Sequence, residues 1–372
     1  MKILHIVPLI DDAASYGGPV RNTFRQSEAQ VKYGHSVHVL SLWKGPGPRP
    51  TAKWKIPLVT FGYVKLPLHK LASLWSLSAL LWVYLRASRY DVVHLHAGRD
   101  LWVLAAALVL RIRRVPYVWQ THGMLAPRSN LSMRLYDTLL TRPAVAGAAS
   151  FMYLTPYEKR DLEGFAHLRR SVLIVNGVDS PAQRPPEGLS AGGLRVVFAS
   201  RLHERKRAID LVDAAAQLLS EGHDIEVDIY GPDEGALPAL LKRIESVDAT
   251  GKIRYSGALP YEAVRAKLSE FNTFVLPSVN EPFPNALLES LATGLASVCT
   301  TSCGLAPYVS QARAGAVVAP GPDGIARALR ELALTPALRS EYAERGLELV
   351  RREFSMASIA QKMIVEYEEA RK

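Results

Sequence analysis

The run Asn280–Gly294 reads NEPFPNALLESLATG and follows a short apolar segment, Thr273–Pro277, that is typical of a buried strand. Pro282 and Pro284 favour extended backbone in the first part of the run, because proline fixes φ and restricts the residue before it. From about Asn285 the apolar positions have helical spacing, and the closing glycine is a suitable place for the helix to end. The run therefore predicts a strand, an extended loop and a helix in direct succession.

Two carboxylates in this run, Glu281 and Glu289, are eight residues apart. Glu281 is expected on the loop after the strand, and Glu289 about one turn into the helix. A carboxylate accepts hydrogen bonds well from pairs of adjacent hydroxyls such as those of sugars, and a helix N-terminus binds phosphate. The arrangement predicts a site for a nucleotide sugar. A solvated helix with two surface acids is the alternative.

Short β-branched segments alternate with longer helical ones along most of the chain. This alternation predicts parallel sheets covered by helices, and segments that are apolar throughout fit strands buried on both faces. The strand candidates are Ile3–Pro8, Ser36–Leu42, Asp91–His96, Val115–Thr121, Phe151–Thr155, Val172–Val175, Leu194–Ser200, Ile225–Tyr230, Lys252–Gly257, Thr273–Pro277, Ser297–Thr300 and Ala316–Pro320. The helical candidates lie near 19–34, 70–89, 100–113, 130–147, 207–221, 235–248, 260–270, 285–294 and 323–353.

A segment rich in proline, glycine and serine, Ser180–Gly193, has no periodicity and is the natural linker between two halves. We therefore predict an N-terminal domain over 1–180 and a C-terminal domain over 181–355, both α/β, doubly wound and Rossmann-like, which face each other across a cleft. Open α/β sheets bind ligands at the carboxyl ends of their strands, so the cleft is the expected site. The last segment, 356–372, is predicted to be an amphipathic helix.

Composition and charge limit the class of protein. A chain of 372 residues, 48% hydrophobic and 22% charged, is long enough for two globular domains and is not disordered. Residues 1–179 carry a net charge of +13 and residues 180–372 one of −3. A basic first half suggests contact with an anionic membrane surface or another polyanion, with ordinary solubilising charge as the alternative. Aromatic residues make up only 8% of the chain, and the absence of an RNA- or DNA-binding signature argues against nucleic acid as a partner.

The two cysteines, Cys299 and Cys303, are too few for a disulfide framework and predict buried, reduced thiols in a cytoplasmic protein. The N-terminal run, MKILHIVPLI, is too short and too strand-like for a signal peptide. The most apolar segment, Leu71–Leu85, is shorter than the roughly 20 residues that span a bilayer and is predicted to be a buried helix. The alternative is a helix that dips into a bilayer surface. Its anchors would be Trp75, Trp82, Lys65, Lys70, Arg86 and Arg89.

A second charged motif, SRLHERK, follows the strand candidate Leu194–Ser200. Arg201 is expected to end the strand, and Lys206 to begin the next helix. Cations at the carboxyl end of a sheet neutralise the negative charge that builds on a diphosphate as a glycosidic bond breaks. The alternative is a basic, solvated helix start, which Arg205 and Arg207 support in part.

The two motifs together resemble those of family 4 glycosyltransferases, retaining enzymes of the GT-B fold. Glu281 and Glu289 match the family's E-x7-E signature, and Arg201 and Lys206 match its R-L-x3-K in the right order and separation. The resemblance implies a GT-B architecture in which the last helix, 356–372, crosses back to the first domain. It also implies transfer of a sugar from a UDP- or GDP-linked donor to an acceptor hydroxyl, with retained configuration and with no metal ion or other cofactor.

The resemblance also assigns roles to individual residues. Arg201 and Lys206 would hold the donor diphosphate, Glu289 the ribose hydroxyls and Glu281 the donor sugar. Attack would come from the front face of the sugar, with the leaving phosphate accepting the acceptor's proton. The run between the two acids would complete the donor site with Phe283, Asn285, Ala286 and Leu287.

Further motifs lie after strand candidates of the first half. Gly17 and Gly18, in SYGGPV, match the family's glycine loop near the donor diphosphate, with a plain tight turn as the alternative. His122, in THGM, matches a histidine that reaches the donor sugar near the reacting carbon, with a structural histidine as the alternative. His94 and His96 point to one face of their strand, which offers no third metal ligand, and they are expected to line the cleft.

Asn176 begins the sequence NGVD, which the family has at its hinge near the cleft, with a turn at a domain boundary as the alternative. Two positions depart from the family pattern. Pro284 stands where glycine is usual and removes one backbone donor from the phosphate cradle. Arg207 stands where glycine commonly follows the lysine, and it crowds the same region or adds a charge to it.

Charge and resemblance together predict a carbohydrate or lipid-linked acceptor in cell-surface polysaccharide or glycolipid synthesis. They also predict a cytoplasmic protein that associates peripherally with the inner membrane face. A nucleotide-sugar epimerase on the same fold and a non-catalytic nucleotide-sugar-binding module are the alternatives. A sugar-phosphate phosphorylase is a weaker one, because no lysine lies in a context suited to its cofactor.

Overall fold

The computed structural model describes residues 1–11, 17–45, 55–67, 73–125, 131–166, 168–178, 192–248 and 250–372. The chain forms two compact units. The first unit consists of Met1–Gly177 together with Met356–Lys372, and the second of Val178–Ser355. The part of the chain that the structure describes contains no helix that is long and apolar enough to cross a membrane.

The first unit alternates strands with helices. Its strands are β1 (Lys2–Asp11), β2 (Ser36–Lys44), β3 (Leu58–Phe61), β4 (Val64–Lys65), β5 (Leu74–Trp75), β6 (Val92–His96), β7 (Tyr117–Gln120), β8 (Ser150–Tyr153) and β9 (Ser171–Leu173). The helices that lie between these strands are α1 (Gly17–Lys32), α2 (Leu77–Arg86), α3 (Leu101–Ile112), α4 (Leu131–Tyr136), α5 (Arg142–Ala146) and α6 (Pro156–Phe165).

The main sheet of the first unit is parallel and has the order β3-β2-β1-β6-β7-β8-β9. The short pair β4 and β5 forms a separate antiparallel ribbon. Every residue of β6 and β7 is buried, as expected for strands that helices cover on both faces. From β1 the chain builds outward through β2 and β3, and then returns to the other side of β1 with β6. The strand order therefore reverses between β1 and β6, which is where doubly wound sheets bind ligands.

The second unit repeats this design. Its strands are β10 (Leu194–Ala199), β11 (Ile225–Tyr230), β12 (Ile253–Tyr255), β13 (Thr273–Leu276), β14 (Ala296–Thr300) and β15 (Ala316–Val318). Its helices are α7 (Ala208–Ser220), α8 (Leu237–Val247), α9 (Tyr261–Leu268), α10 (Asn285–Thr293), α11 (Ala306–Ala312), α12 (Pro322–Leu334) and α13 (Pro336–Leu349). The sheet is parallel with the order β12-β11-β10-β13-β14-β15, so its strand order reverses between β10 and β13.

The last helix, α14 (Met356–Ala370), belongs to the first unit and packs against α1. Met356 and Ala360 form a small buried cluster with Ala29 of α1. Gly177, after β9, also lies close to the start of α14, because a Cβ atom added there would lie 3.1 Å from the backbone of Met356. Glu366 is also buried in α14.

Glu366 joins the helix to the sheet of the first unit. Its carboxylate accepts hydrogen bonds from the Arg170 guanidinium at 2.8 Å and from the Ser150 hydroxyl at 3.1 Å. A buried carboxylate with donors from two neighbouring elements holds α14 in one position.

The predicted parallel α/β organisation is confirmed, but several boundaries differ. The predicted helix over 323–353 is two helices, α12 and α13, followed by a π-helical turn at Val350–Phe354. No sequence pattern predicted β3, β4, β5, α6 or α11, because these elements are short and have weak periodicity. The linker prediction over Ser180–Gly193 falls mostly outside the described residues.

The prediction of a buried helix over Leu71–Leu85 is wrong in part. Residues 71 and 72 lie outside the described residues, 74–75 form a strand, and α2 begins only at Leu77. Ser76 ends the strand and caps α2, because its hydroxyl oxygen accepts a hydrogen bond from the backbone N–H of Ala79. One face of α2 is buried through Ala79, Leu80 and Val83, whereas the opposite face is exposed. That exposed face consists of Leu77, Leu81, Tyr84 and Leu85, and we call it the α2 apolar stripe.

Candidate functional site

The loops after β10 and β13 meet at the carboxyl end of the second unit's sheet. β10 and β13 are neighbouring parallel strands, so the loops that follow them leave the same edge side by side. The backbone N–H of Val279, after β13, donates to the carbonyl of Arg205, after β10, at 2.9 Å. A backbone hydrogen bond therefore joins the motif RLHERK to the residue directly before the motif NEPF.

Lys206 and Glu281 form an ion pair at this junction. Lys206 Nζ lies 2.6 Å from Glu281 Oε2, and the side chains are only 8% and 10% exposed. A 3₁₀ turn over Glu204–Lys206 presents the lysine, and its backbone N–H donates to the carbonyl of His203 at 2.8 Å. Each charge compensates the other, because an unpaired charge would be costly at this burial.

The Glu281 loop is held by the residues that follow β14. Asn280 has φ of 50°, a left-handed conformation that asparagine tolerates better than most residues. Its backbone N–H donates to the Ser302 hydroxyl at 2.9 Å, and that of Glu281 donates to the Ser302 carbonyl at 3.2 Å. Gly304 completes the support by donating to the Glu281 carbonyl at 2.8 Å. Ser302 carried no signal in the sequence, because its partner is 22 residues away.

Helix α10 begins beside Glu281. Pro284 occupies the N-cap with no side-chain cap, so the first backbone N–H groups of the helix have no partner within it. Phe283 is buried and packs edge-on against Phe354, with ring centroids 6.2 Å apart. Glu289 is half-buried in the second turn of the helix. Gly294 ends the helix with φ of 82°, which confirms the predicted C-terminus.

The other donor-site candidates lie on the first turn of the same helix: Asn285 and Ala286 are half-buried and Leu287 is fully buried.

Arg201 and Arg207 are both paired with acids in this structure. Arg201 follows β10 and donates to both carboxylate oxygens of Glu234, at 2.8 and 3.1 Å, in an exposed pair. Arg207 donates to Asp210 at 2.6 and 3.0 Å. Its φ is 50°, a conformation that glycine adopts without strain, which explains why glycine is usual there. No local pattern pointed to Glu234, because it lies 33 residues from its partner.

Cys299 and Cys303 are free and buried, as predicted. The Thr300 hydroxyl lies 3.8 Å from Cys303 Sγ and donates to the Ser278 carbonyl. The pair thus belongs to the packing behind the Glu281 loop.

In the first unit, His94 and His96 project from β6 to the same side, as predicted, and their ring centroids are 3.9 Å apart. Both are fully buried, so they support the neighbouring loops and do not line a solvent-filled cleft. Their own strand offers no third ligand, but His5 on the neighbouring strand β1 lies beside them. Nitrogens of the three rings lie within 4.8 Å of one another.

Two of these nitrogens are arranged as a hydrogen bond. His5 Nδ1 and His96 Nε2 are 2.8 Å apart, which is closer than the roughly 3.3 Å expected between two ligands of a tetrahedral zinc ion. They share one hydrogen, so their lone pairs do not converge on a common point. The geometry favours a hydrogen-bonded histidine cluster over a metal centre.

His122 follows β7 and is held in a strained loop. Its φ is 52°, and that of Gly123 is 76°. The buried Glu158 of α6 fixes this loop by accepting hydrogen bonds from the Gly123 N–H, at 2.7 Å, and from the Thr121 hydroxyl. Burial raises the pKa of Glu158. Its sequence signal was the spacing T-P-x-E, in which Thr155 caps α6 and accepts from the Glu158 N–H at 3.2 Å.

Burial also sets the charge of His122. It lowers the pKa of this histidine to about 3, so the ring is neutral at pH 7. His122 Nε2 lies 3.0 Å from His96 Nδ1, and the two rings are stacked. His122 is partly exposed, whereas His96 is fully buried.

Three remaining candidates lie in or beside the N-terminal half of α1. Gly17 and Gly18 are its first residues. Asn176 is buried and accepts a hydrogen bond from the Asn22 side chain at 2.8 Å. This bond fixes α1 to the segment that follows β9. Asp179, the last residue of NGVD, lies outside the described residues.

Two family models match the chain, one over each half. Residues 16–180 match the model "Glycosyltransferase Family 4", and residues 179–348 match "Glycosyl transferases group 1".

Curated relatives and a solved structure agree with these matches. A lipopolysaccharide core biosynthesis glycosyltransferase of Rhizobium meliloti is 29% identical over 54% of this chain and 55% of its own length, so the chain spans about half of that relative. Alpha-maltose-1-phosphate synthase of Mycolicibacterium smegmatis is 27% identical over 80% of this chain and 83% of its own. The structure of HepE from Anabaena, solved with UDP, superposes with a TM-score of 0.76 at 18% identity, over 98% of this chain and 99% of that one. This likeness establishes the GT-B fold.

Proposed function

We infer that this chain of GT-B fold, which carries a family 4 and a group 1 glycosyltransferase domain, transfers a sugar from a nucleotide-diphosphate sugar to an acceptor hydroxyl. The observation that carries the proposal is the Lys206–Glu281 pair beside the N-terminus of α10. It combines a cation, a carboxylate and the N-terminus of a helix at the point where the strand order of the second sheet reverses.

In this proposal the donor diphosphate takes over Lys206. The phosphate oxygens bind the lysine ammonium and the first N–H groups of α10, and Arg201 leaves Glu234 to join them. The exposed Arg201–Glu234 pair is worth little in water, so exchanging it for a phosphate is inexpensive. These positive groups stabilise the leaving diphosphate and take the part that a divalent metal ion has in other diphosphate sites.

Glu281 and Glu289 hold the two sugars of the donor. Once Lys206 has turned to the diphosphate, Glu281 accepts hydrogen bonds from hydroxyls of the transferred sugar. Glu289, about one turn further along, accepts from the ribose. His122 contacts the transferred sugar at the reacting face, and Gly17 and Gly18 let the backbone approach the diphosphate.

Retention of configuration follows from front-face attack, with the leaving phosphate accepting the acceptor's proton. Glu281 is engaged by a cation at 2.6 Å, which suits a carboxylate that binds hydroxyls better than one that acts as a free nucleophile.

The acceptor is proposed to be a carbohydrate or a lipid-linked molecule in cell-surface polysaccharide or glycolipid synthesis. The named role of the Rhizobium relative in lipopolysaccharide core biosynthesis supports this assignment. So does the net charge of +13 in residues 1–179. The α2 apolar stripe, followed by the exposed Arg86 and Arg89, would lie on an anionic inner membrane face.

The test begins with the donor. Thermal melting is measured with UDP, GDP, ADP and dTDP, with UDP first because HepE was solved with it. A ligand at 100 times its Kd adds about 2.7 kcal/mol, enough to raise Tm by a few degrees. The sugars of the nucleotide that binds are then tried as donors with candidate acceptors, and the anomeric configuration of the product is read by NMR.

Each outcome has a definite meaning. A product with the donor's configuration supports the retaining transferase. Conversion of the donor sugar with no acceptor present would identify an epimerase instead. Binding of a nucleotide sugar that no acceptor consumes would point to a non-catalytic module, and failure of every nucleotide to raise Tm would contradict the proposed donor site.

A further inference from the structure

A line of hydrogen-bonded side chains runs through the first unit from α1 to the loop of His122. Gln30 Oε1 lies 2.8 Å from His5 Nε2, and His5 Nδ1 lies 2.8 Å from His96 Nε2. The line ends at His122, whose Nε2 is 3.0 Å from His96 Nδ1. His5 and His96 each use one nitrogen for the previous member and the other for the next. We call these four residues the histidine line.

Because the rings are neutral, all hydrogen bonds of the histidine line must run in the same direction. Burial lowers the pKa of His5 to about 4 and that of His122 to about 3, and it also lowers the pKa of His96. At pH 7 each ring therefore carries a single N–H group. Every link needs one donor and one acceptor, so the direction of the first link determines the direction of all the others.

Gln30 sets that direction through the orientation of its amide. Its Nε2 lies 3.1 Å from the Tyr367 hydroxyl and 4.0 Å from the sulfur of Met363, both on α14. A thioether sulfur only accepts, so the amide N–H₂ belongs on this side and the carbonyl oxygen faces His5. The Tyr367 hydroxyl also lies 2.8 Å from His94 Nδ1. Gln30 thus offers His5 an acceptor.

The hydrogens follow from this acceptor. His5 donates from Nε2 to Gln30, His96 donates from Nε2 to His5, and His122 donates from Nε2 to His96. His122 Nδ1 keeps its lone pair, and no described side chain is bonded to it. His122 is also the one ring of the line that is partly exposed.

We propose that the rest of the histidine line holds His122 in the Nε2–H tautomer, so that its Nδ1 accepts a hydrogen bond from a hydroxyl of the donor sugar. The identity of the ligand rests on the proposed function, whereas the tautomer does not. Gln30, His5 and His96 are then positioning residues that act through His122. A neutral acceptor suits a sugar on which positive charge builds as the leaving group departs, because an imidazolium would repel that charge.

The tautomer is measured directly by NMR of protein with ¹⁵N-labelled histidine, in which two-bond ¹H–¹⁵N correlations distinguish Nδ1–H from Nε2–H. In the unmodified protein we expect the Nε2–H form of His122 to dominate by about tenfold, the value of one well-formed hydrogen bond. A His122 that is mainly Nδ1–H would overturn the proposal.

Gln30→Met replaces the carbonyl acceptor with a thioether, which accepts only weakly, and provides the sharper test. The Nε2–H of His5 would then be a buried donor without a strong partner, which is more costly than a nitrogen without a proton. The line therefore reverses, and the Nδ1–H form of His122 becomes the major one. Gln30→Leu is measured in parallel, so that the result does not depend on how one side chain packs.

Gln26→Met is the matched control. Gln26 lies one turn earlier on α1, is equally buried, and donates to Gln120 at 3.4 Å instead of to a histidine. This variant is expected to keep the Nε2–H tautomer. If both Gln30 variants also keep it, Gln30 does not set the direction and the proposal is wrong.

Kinetics connect the tautomer to the sugar. Gln30→Met is expected to lower kcat/KM for the nucleotide sugar about tenfold, since the hydroxyl meets an N–H instead of a lone pair. The Kd for the nucleoside diphosphate alone, which has no such sugar, should not change. If no nucleotide binds the unmodified protein, the proposed function fails while the NMR result still decides the histidine line. A reversed tautomer with unchanged kcat/KM would overturn the role in sugar binding.

Discussion

At the scale of single residues, the Lys206–Glu281 pair links the stability of the second unit to its proposed chemistry. The two charges are removed from water and lie 2.6 Å apart, so each depends on the other. A ligand that takes the lysine must therefore provide new donors for the glutamate. A diphosphate joined to a sugar meets this need. Its phosphates bind the ammonium of Lys206, and the hydroxyls of its sugar donate to the carboxylate of Glu281.

The first prediction is a double-mutant cycle on this pair. Lys206→Met and Glu281→Gln are each expected to lower the free energy of unfolding by about 3–5 kcal/mol. The first substitution leaves the buried carboxylate unpaired, and the second leaves the buried lysine with only a neutral partner. The double variant should recover most of that loss, although all three should lose sugar transfer. Unfolding is followed by urea titration with far-UV circular dichroism.

Lys252→Met is the control for this cycle, because Lys252 pairs with Asp224 at 3.0 Å in an exposed position. It should change stability by less than about 0.5 kcal/mol. Additive losses in the double variant, or transfer that survives in either single variant, would contradict the assignment.

At the scale of elements, α14 stabilises the first unit although it lies last in the chain. Met363 and Tyr367 are fully buried, and both contact Gln30 of α1. Val365, on the opposite side of the helix, is 54% exposed. The helix therefore buries one face against α1 and leaves the other in water, as its amphipathic sequence predicted.

Met363→Ala tests this packing. We expect it to lower the stability of the first unit by about 2–5 kcal/mol, from the lost apolar contact and the cavity that remains. Val365→Ala, two residues later on the exposed face, should change it by less than about 0.5 kcal/mol. All six tryptophans lie within residues 43–119, so tryptophan fluorescence during urea unfolding reports on the first unit. Equal effects of the two substitutions would mean that α14 does not pack as described.

Helix α2 gives a prediction about membranes. Leu81 and Leu85 of the α2 apolar stripe are 55% and 57% exposed, and the double substitution Leu81→Glu with Leu85→Glu places charge where acyl chains are proposed to lie. Binding to anionic vesicles in a sedimentation assay should fall at least about tenfold, since each buried leucine contributes about 1.5–3 kcal/mol. It should also weaken as salt is raised.

Leu241→Glu is the matched control for the membrane prediction. Leu241 lies on α8 of the second unit and is 46% exposed, so its substitution should leave vesicle binding intact. If the unmodified protein does not bind anionic vesicles, the proposed membrane role of the α2 apolar stripe is ruled out.

At the scale of the whole molecule, the six strands of the second sheet repeat the order of the first six positions in the seven-stranded first sheet, and the two units place polar residues at equivalent points. In each sheet the strand order reverses beside the first strand, between β1 and β6 and between β10 and β13. The histidine cluster lies at the first of these points, and the loops carrying Lys206 and Glu281 leave the second. A repeated design thus separates the group proposed to contact the sugar from the groups proposed to hold the diphosphate.

The histidine cluster predicts acid sensitivity of the first unit. Unfolded histidines bind protons below about pH 6.5. Burial lowers the pKa of His5 to about 4 and that of His122 to about 3, and lowers the pKa of His94 and His96 as well. Between pH 6.5 and 4 the unfolded state therefore binds more protons, and the free energy of unfolding falls as pH falls. The slope is about 1.4 kcal/mol per pH unit for each histidine.

Two buried acids oppose this trend. Burial raises the pKa of Asp100 to about 6 and also raises that of Glu158, so these two groups favour the native state as pH falls. Four histidines outweigh two acids, and the net effect is a loss of stability. Tm of the first unit, followed by tryptophan fluorescence, should fall from pH 6.5 to 4, and His5→Asn should reduce the slope. A Tm that is constant or rises in this window would show that the histidines are not buried as neutral rings.

The sequence by itself determined the class of fold, the main strands and helices, and the run of residues from which the candidate site is built. These features depend on local patterns: apolar spacing predicts burial, Gly294 ends a helix, and SRLHERK and NEPF follow strands. Arg207 was also recognised as an unusual residue at a glycine position. Its left-handed backbone supplies the reason.

Only the tertiary structure decided which side chains meet. Lys206 and Glu281 are 75 residues apart, His5 and His96 are 91 apart, and Gln30 reaches Tyr367 across 337. Contacts between distant segments leave no periodic signal, so Glu158, Glu234 and the histidine line were not predicted. The direction of the hydrogen bonds that lead to His122 depends on one amide turned toward a helix from the far end of the chain. That is a property of three-dimensional packing, because no local pattern records which atom a buried glutamine presents to its neighbour.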